Sequence, residues 1–172
     1  MDSLQNIIEE TKPSVIALVE TKLEEKQEIQ IDGYYPVPMS RDINGGGVLI
    51  LVKKELENIT VTVEKNKEVG EALWVTLSNG RNSIRMGVVY APQESKTDLA
   101  KLKIMYKGLK EQIKQARNQK QNLLLVGDFN CKIGPRIKGN TDEISKGGKL
   151  LIDMTNKLNL KISIVCRKNY LS

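Results

Sequence analysis

Between Asn122 and Cys131 an unbroken apolar run, Leu123 to Val126, stops at Gly127 and is followed at once by Asp128 and Asn130. Four aliphatic residues without polar alternation suit a strand buried on both faces, the kind found in layered α/β proteins. A carboxylate and a carboxamide at i and i+2, just past such a strand, can reach one cleft at its carboxyl end. That is where open α/β sheets bind their ligands. Gly, Asp and Asn are also ordinary turn residues, so the spacing alone leaves a plain turn open.

The rest of the chain repeats and extends this grammar. Ser3 to Lys12 reads as a short helix with Leu4, Ile7 and Ile8 on one face and Pro13 closing it. Val15 to Val19 reads as a buried strand ending in Glu20-Thr21-Lys22, again an apolar run with an acid at its end. Tyr34 to Val37 reads as an edge strand, because Pro36 cannot donate to a ladder. Gly45-Gly46-Gly47 leads into a buried strand over Val48 to Val52. Residues 48 to 90 then read as a β-meander without a helix, with Ile59 to Val63 alternating. Within it, Ala72 to Leu77 and Ser83 to Tyr90 flank the hairpin signal Asn79-Gly80. A long helix is expected from about Asp98 to Gln119, capped by Thr97, with an apolar stripe of Leu99, Leu102, Tyr106, Leu109, Ile113 and Ala116. Its lysines (101, 103, 107, 110 and 114) and Arg117 read first as a solvated face. A helix from about Gly148 to Lys157 and a last strand from Lys161 to Val165 complete the pattern. Strands from both halves with covering helices argue for an α/β sandwich of layers.

Composition narrows the chemistry. The 172 residues suit one domain, and the net charge of +6 leans toward a polyanionic partner. The chain contains no histidine, which removes a Ser-His-Asp triad, His-ligated zinc and imidazole acid–base catalysis. Its two cysteines, Cys131 and Cys166, lack CxxC spacing and fit a reducing compartment. No apolar stretch reaches the ~20 residues of a membrane span, and the first residues do not form a signal peptide. The reading is therefore an intracellular protein, cytoplasmic or nuclear, without a membrane partner.

Five stretches together resemble one family. Glu20-Thr21-Lys22, Gly45-Gly46-Gly47-Val48, Val88-Val89-Tyr90-Ala91-Pro92, Gly127-Asp128-Phe129-Asn130, and Gly147-Gly148-Lys149-Leu150-Leu151 with Leu158-Asn159-Leu160 occur in order. They resemble the motifs of the endonuclease/exonuclease/phosphatase superfamily, the deoxyribonuclease I-like fold. The Val-Tyr-Ala-Pro form and the run from Gly127 to Gly134 are most similar to endonuclease domains of non-LTR retrotransposons. The resemblance implies a layered α/β sandwich with mixed sheets flanked by helices, and a metal-dependent phosphodiesterase acting on DNA. It implies magnesium, or manganese, held by Glu20, since hard divalent ions prefer carboxylate oxygens. Asp128 would orient or deprotonate the attacking water, Asn130 would contact phosphate or position that water, and Tyr90 would donate to a phosphate oxygen. Fusion to, or association with, a reverse transcriptase would follow from the retrotransposon likeness; the oligomeric state is left open.

Some family features are missing. The family's first strand ends in an asparagine that helps hold the metal, and here the chain starts with the helix at Ser3. The family's closing Asp-His pair has no counterpart, and Glu143 to Gly147 lacks the asparagine of the matching motif; Asn140 is nearby. The expectation is a domain incomplete at both ends, and a weak or inactive enzyme in this form. Two other readings stand beside the nuclease: a phosphatase of the same fold acting on a phosphorylated lipid or sugar, and a non-catalytic remnant or nucleic-acid-binding module.

Overall fold

The computed structural model describes residues 2–24, 27–40, 46–56, 59–66, 71–136 and 143–163. Helix α1 (Asp2–Thr11) is followed by β1 (Val15–Val19), β2 (Tyr34–Met39) and β3 (Val48–Lys53). Then come β4 (Thr60–Asn66), β5 (Glu71–Ser78), β6 (Ser83–Tyr90), α2 (Leu99–Asn118), β7 (Asn122–Asp128) and α3 (Lys146–Lys157). The strands make two sheets, one ordered β1-β3-β2 and one ordered β4-β5-β6-β7. The first is antiparallel throughout; the second is mixed, because β7 runs parallel to β6.

Side-chain alternation decides how these layers stack. Val48, Ile50 and Val52 of one sheet meet Leu73, Val75, Met86 and Val88 of the other in a shared apolar core. On the far side of β5 and β6, Ala72, Trp74 and Val89 pack under Met105, Tyr106, Leu109 and Ile113 of α2 and Leu151 and Met154 of α3. On the outer face of the first sheet, Leu4 and Ile8 of α1 cover Leu49 and Leu51. The order is therefore helix, sheet, sheet, helices. Each fully buried aliphatic side chain contributes about 2 kcal/mol to holding such layers together. Among the described residues no helix is long and apolar enough to cross a membrane.

Several sequence expectations change. Val48–Val52 is buried on both faces as expected, because the second sheet covers one face of β3 and helix α1 the other, with β1 and β2 on its edges. The similar run Leu123–Val126 is not: β7 is the edge of its sheet among the described residues, and Leu124 is 44% exposed. An aliphatic run reports apolar faces, and it does not report whether a strand has neighbours on both sides. Residues 48–90 do not form one meander; β3 belongs to the other sheet, and only β4, β5 and β6 are consecutive hairpin partners. Residues 161–163 form no strand, while 164 and 165 lie outside the described residues, as do Gly45 and Asn140.

Helix ends are also set differently. Asp98, not Thr97, caps α2, with Oδ1 accepting the Lys101 N–H at 2.7 Å. That shift leaves Leu99 exposed, and Met105 takes its place in the buried stripe. The basic face of α2 is partly structural, since Lys110 Nζ stands 2.9 Å from Asp153 of α3 and Arg117 donates to the Leu158 carbonyl. Helix α3 begins at Lys146, two residues earlier than expected, because Ser145 Oγ accepts the Gly148 N–H at 3.2 Å. The Asn79–Asn82 loop closes as the hairpin signal requires. Asn79 Oδ1 accepts the Asn82 N–H at 2.9 Å, and Gly80 takes the positive φ of +82°.

Candidate active site

β6 and β7 end together. Their parallel register pairs Tyr90 with Asp128, and the antiparallel register of β5 sets Glu71 opposite Tyr90. Paired residues project from the same face, so Glu71, Tyr90 and Asp128 form a row at one end of the space between the sheets. Glu20 arrives from the other sheet, directly after β1. The Tyr90 O–H donates to Glu20 Oε1 and closes the gap between the two sheets.

The turn after β7 is held tightly. Gly127 has φ +136°, and a Cβ there would run into the Val89 carbonyl of β6. Only glycine permits that approach, which brings the end of β7 against β6. Asp128 Oδ1 then accepts the Asn130 N–H at 2.8 Å, and Asn130 Nδ2 donates to the Ala91 carbonyl at 2.8 Å. The Ala91 N–H in turn donates to the Asp128 carbonyl at 2.8 Å. The plain-turn reading of Asp128 and Asn130 is thus part of the geometry: the side chain makes an ordinary i to i+2 turn bond. The same bonds fix both side chains beside Tyr90. Glu20, Tyr90, Asp128 and Asn130, all singled out in the sequence, are brought to one place.

Tyr90 records the charge around it. Its hydroxyl is pushed up to about 12, first by the hydrogen bond to Glu20, then by burial and by the negative charges of Glu20, Asp128 and Glu71. An ordinary tyrosine ionises near 10. The folded chain therefore holds this proton where the unfolded chain has released it. The associated stability is present below about pH 10 and is lost as pH rises through about 12. In an alkaline absorbance titration, the difference between wild type and Tyr90→Phe is expected to be one ionisation with a midpoint near 12; a midpoint near 10 would contradict the Glu20 contact.

Two acids escaped notice in the sequence. Glu71 is only 6% exposed, and its Oε2 accepts the Gly47 N–H at 2.6 Å. The signal was there: Glu71, Leu73, Val75 and Leu77 share one face of β5, and an acid in an inward position of an apolar alternation stands out. Glu94, in the loop after Tyr90, accepts the Gly147 N–H at 2.6 Å and the Lys146 N–H at 3.2 Å. Burial pushes its carboxyl up, but hydrogen bonds from Ser145, Gly147 and Lys146 more than reverse this and hold it below the usual range. Glu94 thereby ties the start of α3 to the loop that follows Tyr90.

Among the described residues no group of three or more His, Cys, Asp or Glu is placed to hold a metal ion. The acids at this end of the sheets offer oxygens: the Glu20 carboxylate, which receives the Tyr90 O–H, and the Asp128 carboxylate beside Tyr90 on the neighbouring strand. Magnesium uses one or two carboxylates together with substrate phosphates and keeps several waters. The carboxylate charge that holds the Tyr90 proton is charge that a cation would neutralise. Oxygen donors of this kind fit a hard divalent ion.

Residues 1–148 match the sequence profile of the Endonuclease/Exonuclease/phosphatase family. No curated protein sequence matches the chain. Among solved structures, the 3'-5' exonuclease NExo from Neisseria meningitidis superposes with TM-score 0.65 at 19% identity, covering 90% of this chain and 65% of that one. A variant of the 3' phosphatase NExo from Neisseria, bound to a product DNA hairpin, superposes with TM-score 0.62 at 17% identity and the same coverage. These likenesses show a shared fold, the layered sandwich of two sheets flanked by helices that the sequence leads one to expect. The chain spans 65% of the length of each neighbour.

Proposed function

Because this chain belongs to the Endonuclease/Exonuclease/phosphatase family, we propose that it forms a single domain over residues 1–172 that hydrolyses phosphodiesters in DNA with a divalent cofactor, magnesium or manganese. The observation that carries this reading is the meeting of Glu20 with the Tyr90 hydroxyl across the two sheets, with Asp128 beside Tyr90 on the neighbouring strand. A structural tyrosine at a strand end has no need of two acids from separate elements.

Each residue then has a distinct task. Asp128 spends Oδ1 on the turn to Asn130, and its second oxygen takes the proton of the attacking water. The water oxygen bonds to phosphorus as the P–O ester bond breaks, and the departing oxygen takes up a proton from solvent, leaving a phosphomonoester and a hydroxyl. Asn130, pinned through Ala91, presents the rest of its amide to the phosphate. Tyr90, a phenol that keeps its proton at neutral pH, donates to a non-bridging oxygen as charge builds there. Glu20 would hold the cation, which neutralises phosphate charge when bound. The net charge of +6 favours association with a polyanionic backbone.

Within the family we assign the chain to the retrotransposon-type endonucleases, on the forms Val88-Val89-Tyr90-Ala91-Pro92 and Gly127 to Gly134, with a reverse transcriptase as its partner. These 172 residues supply no imidazole, and general acid–base groups typically contribute about 10²–10⁴-fold, so turnover by them alone is expected to be slow. A DNA 3'-phosphate is a second substrate, favoured by the neighbour described as a 3' phosphatase. The test is nicking of supercoiled plasmid, alongside release of phosphate from a 3'-phosphorylated hairpin, with magnesium or manganese against EDTA. Slow, metal-dependent nicking supports the endonuclease; phosphate release alone moves the assignment to a phosphatase. A folded sample with neither activity and no metal binding overturns both in favour of a non-catalytic DNA-binding module.

A further inference from the structure

We propose that Glu71 is a positioning residue of this site: through Gly46 and Gly47 it fixes the backbone around Glu20, and so sets where the Glu20 carboxylate stands against Tyr90. The proposal rests on the phosphodiesterase reading for its functional meaning, but the contacts that carry it are separate.

Glu71 opens β5 facing the space between the sheets, where the next residues on its face are Leu73, Val75 and Leu77. Packing alone would favour another aliphatic there, since a buried carboxylate costs several times more than it returns unless it is well bonded. Glu71 Oε2 receives the Gly47 N–H at 2.6 Å, a short charge-assisted bond. The carbonyl of that same peptide unit, on Gly46, accepts the Lys22 N–H at 2.8 Å. One peptide plane is thus clamped at both ends, by Glu71 on one side and by the segment after Glu20 on the other. Bonds in such a chain polarise and strengthen each other. The Gly47 carbonyl adds a second link to the Thr21 N–H at 3.3 Å.

The two glycines make this relay feasible. Gly46 and Gly47 have φ of +96° and +90°; a Cβ on Gly46 would run into Glu71 Oε1, and one on Gly47 would meet Thr21 Oγ1 at 2.8 Å. The relay also accounts for an unfavourable backbone. Glu20 and Lys22 have φ of +55° and +51°, a conformation that non-glycine residues keep only where the surroundings impose it. The bonds to Gly46 and Gly47 are what impose it here. The circuit closes on itself: Glu71 holds the glycine peptide, the glycines hold the strand end, Glu20 receives Tyr90, and Tyr90 stands opposite Glu71 in the sheet.

The variants Glu71→Leu, Glu71→Asp and Glu71→Gln separate this from a merely structural role. Leucine removes the acceptor, aspartate keeps the charge but withdraws it by one methylene, and glutamine keeps a carbonyl oxygen at full reach. Amide hydrogen exchange at Thr21 and Lys22 is expected to speed up by about tenfold in the leucine and aspartate variants and to stay near wild type in the glutamine variant. Manganese affinity, measured by calorimetry, is expected to weaken by about tenfold in the first two and to recover in the third, while core amides in β3 keep their protection. Unchanged Thr21 and Lys22 exchange in Glu71→Asp overturns the proposal, as does a glutamine variant as impaired as the aspartate one. The aspartate comparison decides the matter even if the leucine variant fails to fold. A wild-type chain that binds no metal sinks the phosphodiesterase reading, while the exchange rates still report on the relay.

Discussion

Replacing Asp128 by asparagine is expected to lower metal-dependent nicking by about 10²–10⁴-fold, the usual contribution of a group that moves a proton in the transition state. Asparagine is the informative substitution because it preserves the turn. Its side-chain oxygen still accepts the Asn130 N–H, now held at 2.8 Å by Asp128 Oδ1, so the β7 end and Asn130 keep their places. Only the negative charge and the basic oxygen are lost. Asp128→Ala should show the same loss of nicking, and in addition about 1 kcal/mol of destabilisation from the missing turn bond. Parallel nicking assays and urea unfolding of the two variants separate the two roles. If the asparagine variant nicks at the wild-type rate, Asp128 is a turn residue and nothing more.

A second large effect is expected far from the site. Arg85 lies on the helix side of β6 and is only 1% exposed. Its guanidinium donates to Glu64 Oε1 at 2.9 Å and Oε2 at 2.8 Å, and to Gln112 Oε1 of α2 at 2.6 Å. It also lies 5.1 Å from the centre of the Trp74 ring. Glu64→Ala strands a buried cation. Breaking a fully buried pair costs about 3–5 kcal/mol, and because the Glu64 side chain is 42% exposed the expected loss is nearer 2–3 kcal/mol. In a chain of this size Tm falls by about 2–4 °C for each kcal/mol. Arg85→Met should be far milder, since an apolar side chain of similar length keeps the contact with Trp74 and leaves Glu64 and Gln112, both only partly buried and able to reach water. Thermal unfolding of both variants checks the asymmetry; equal losses would mean that the contacts Arg85 makes, rather than the cost of stranding its charge, set the effect.

Much of this fold is legible in the chain. Val48–Val52, the Asn79-Gly80 hairpin, the stripe on α2 and the Gly127-Asp128-Phe129-Asn130 turn are all local features. Alternation, helical spacing and turn chemistry act over a few residues, so a few residues suffice to read them. Tyr90 and three of the residues now gathered around it, Glu20, Asp128 and Asn130, were visible for the same reason: each follows or ends an apolar run, where strand ends present side chains to a cleft. Tertiary structure decided the rest. Leu123–Val126 and Val48–Val52 are nearly the same in composition, yet one lies at a sheet edge and the other at a sheet centre. In-sheet neighbours are chosen by backbone hydrogen bonds, which carry no side-chain signature. Arg85 looks like an ordinary charge in sequence, and Glu71 shows only as an acid within an apolar alternation, because their partners, Glu64 and Gly47, are 21 and 24 residues away. Their burial is set by the stacking of separate layers. The meeting of Glu20 with Tyr90 spans 70 residues and two sheets, and only the packing of one sheet on the other brings that carboxylate to that phenol.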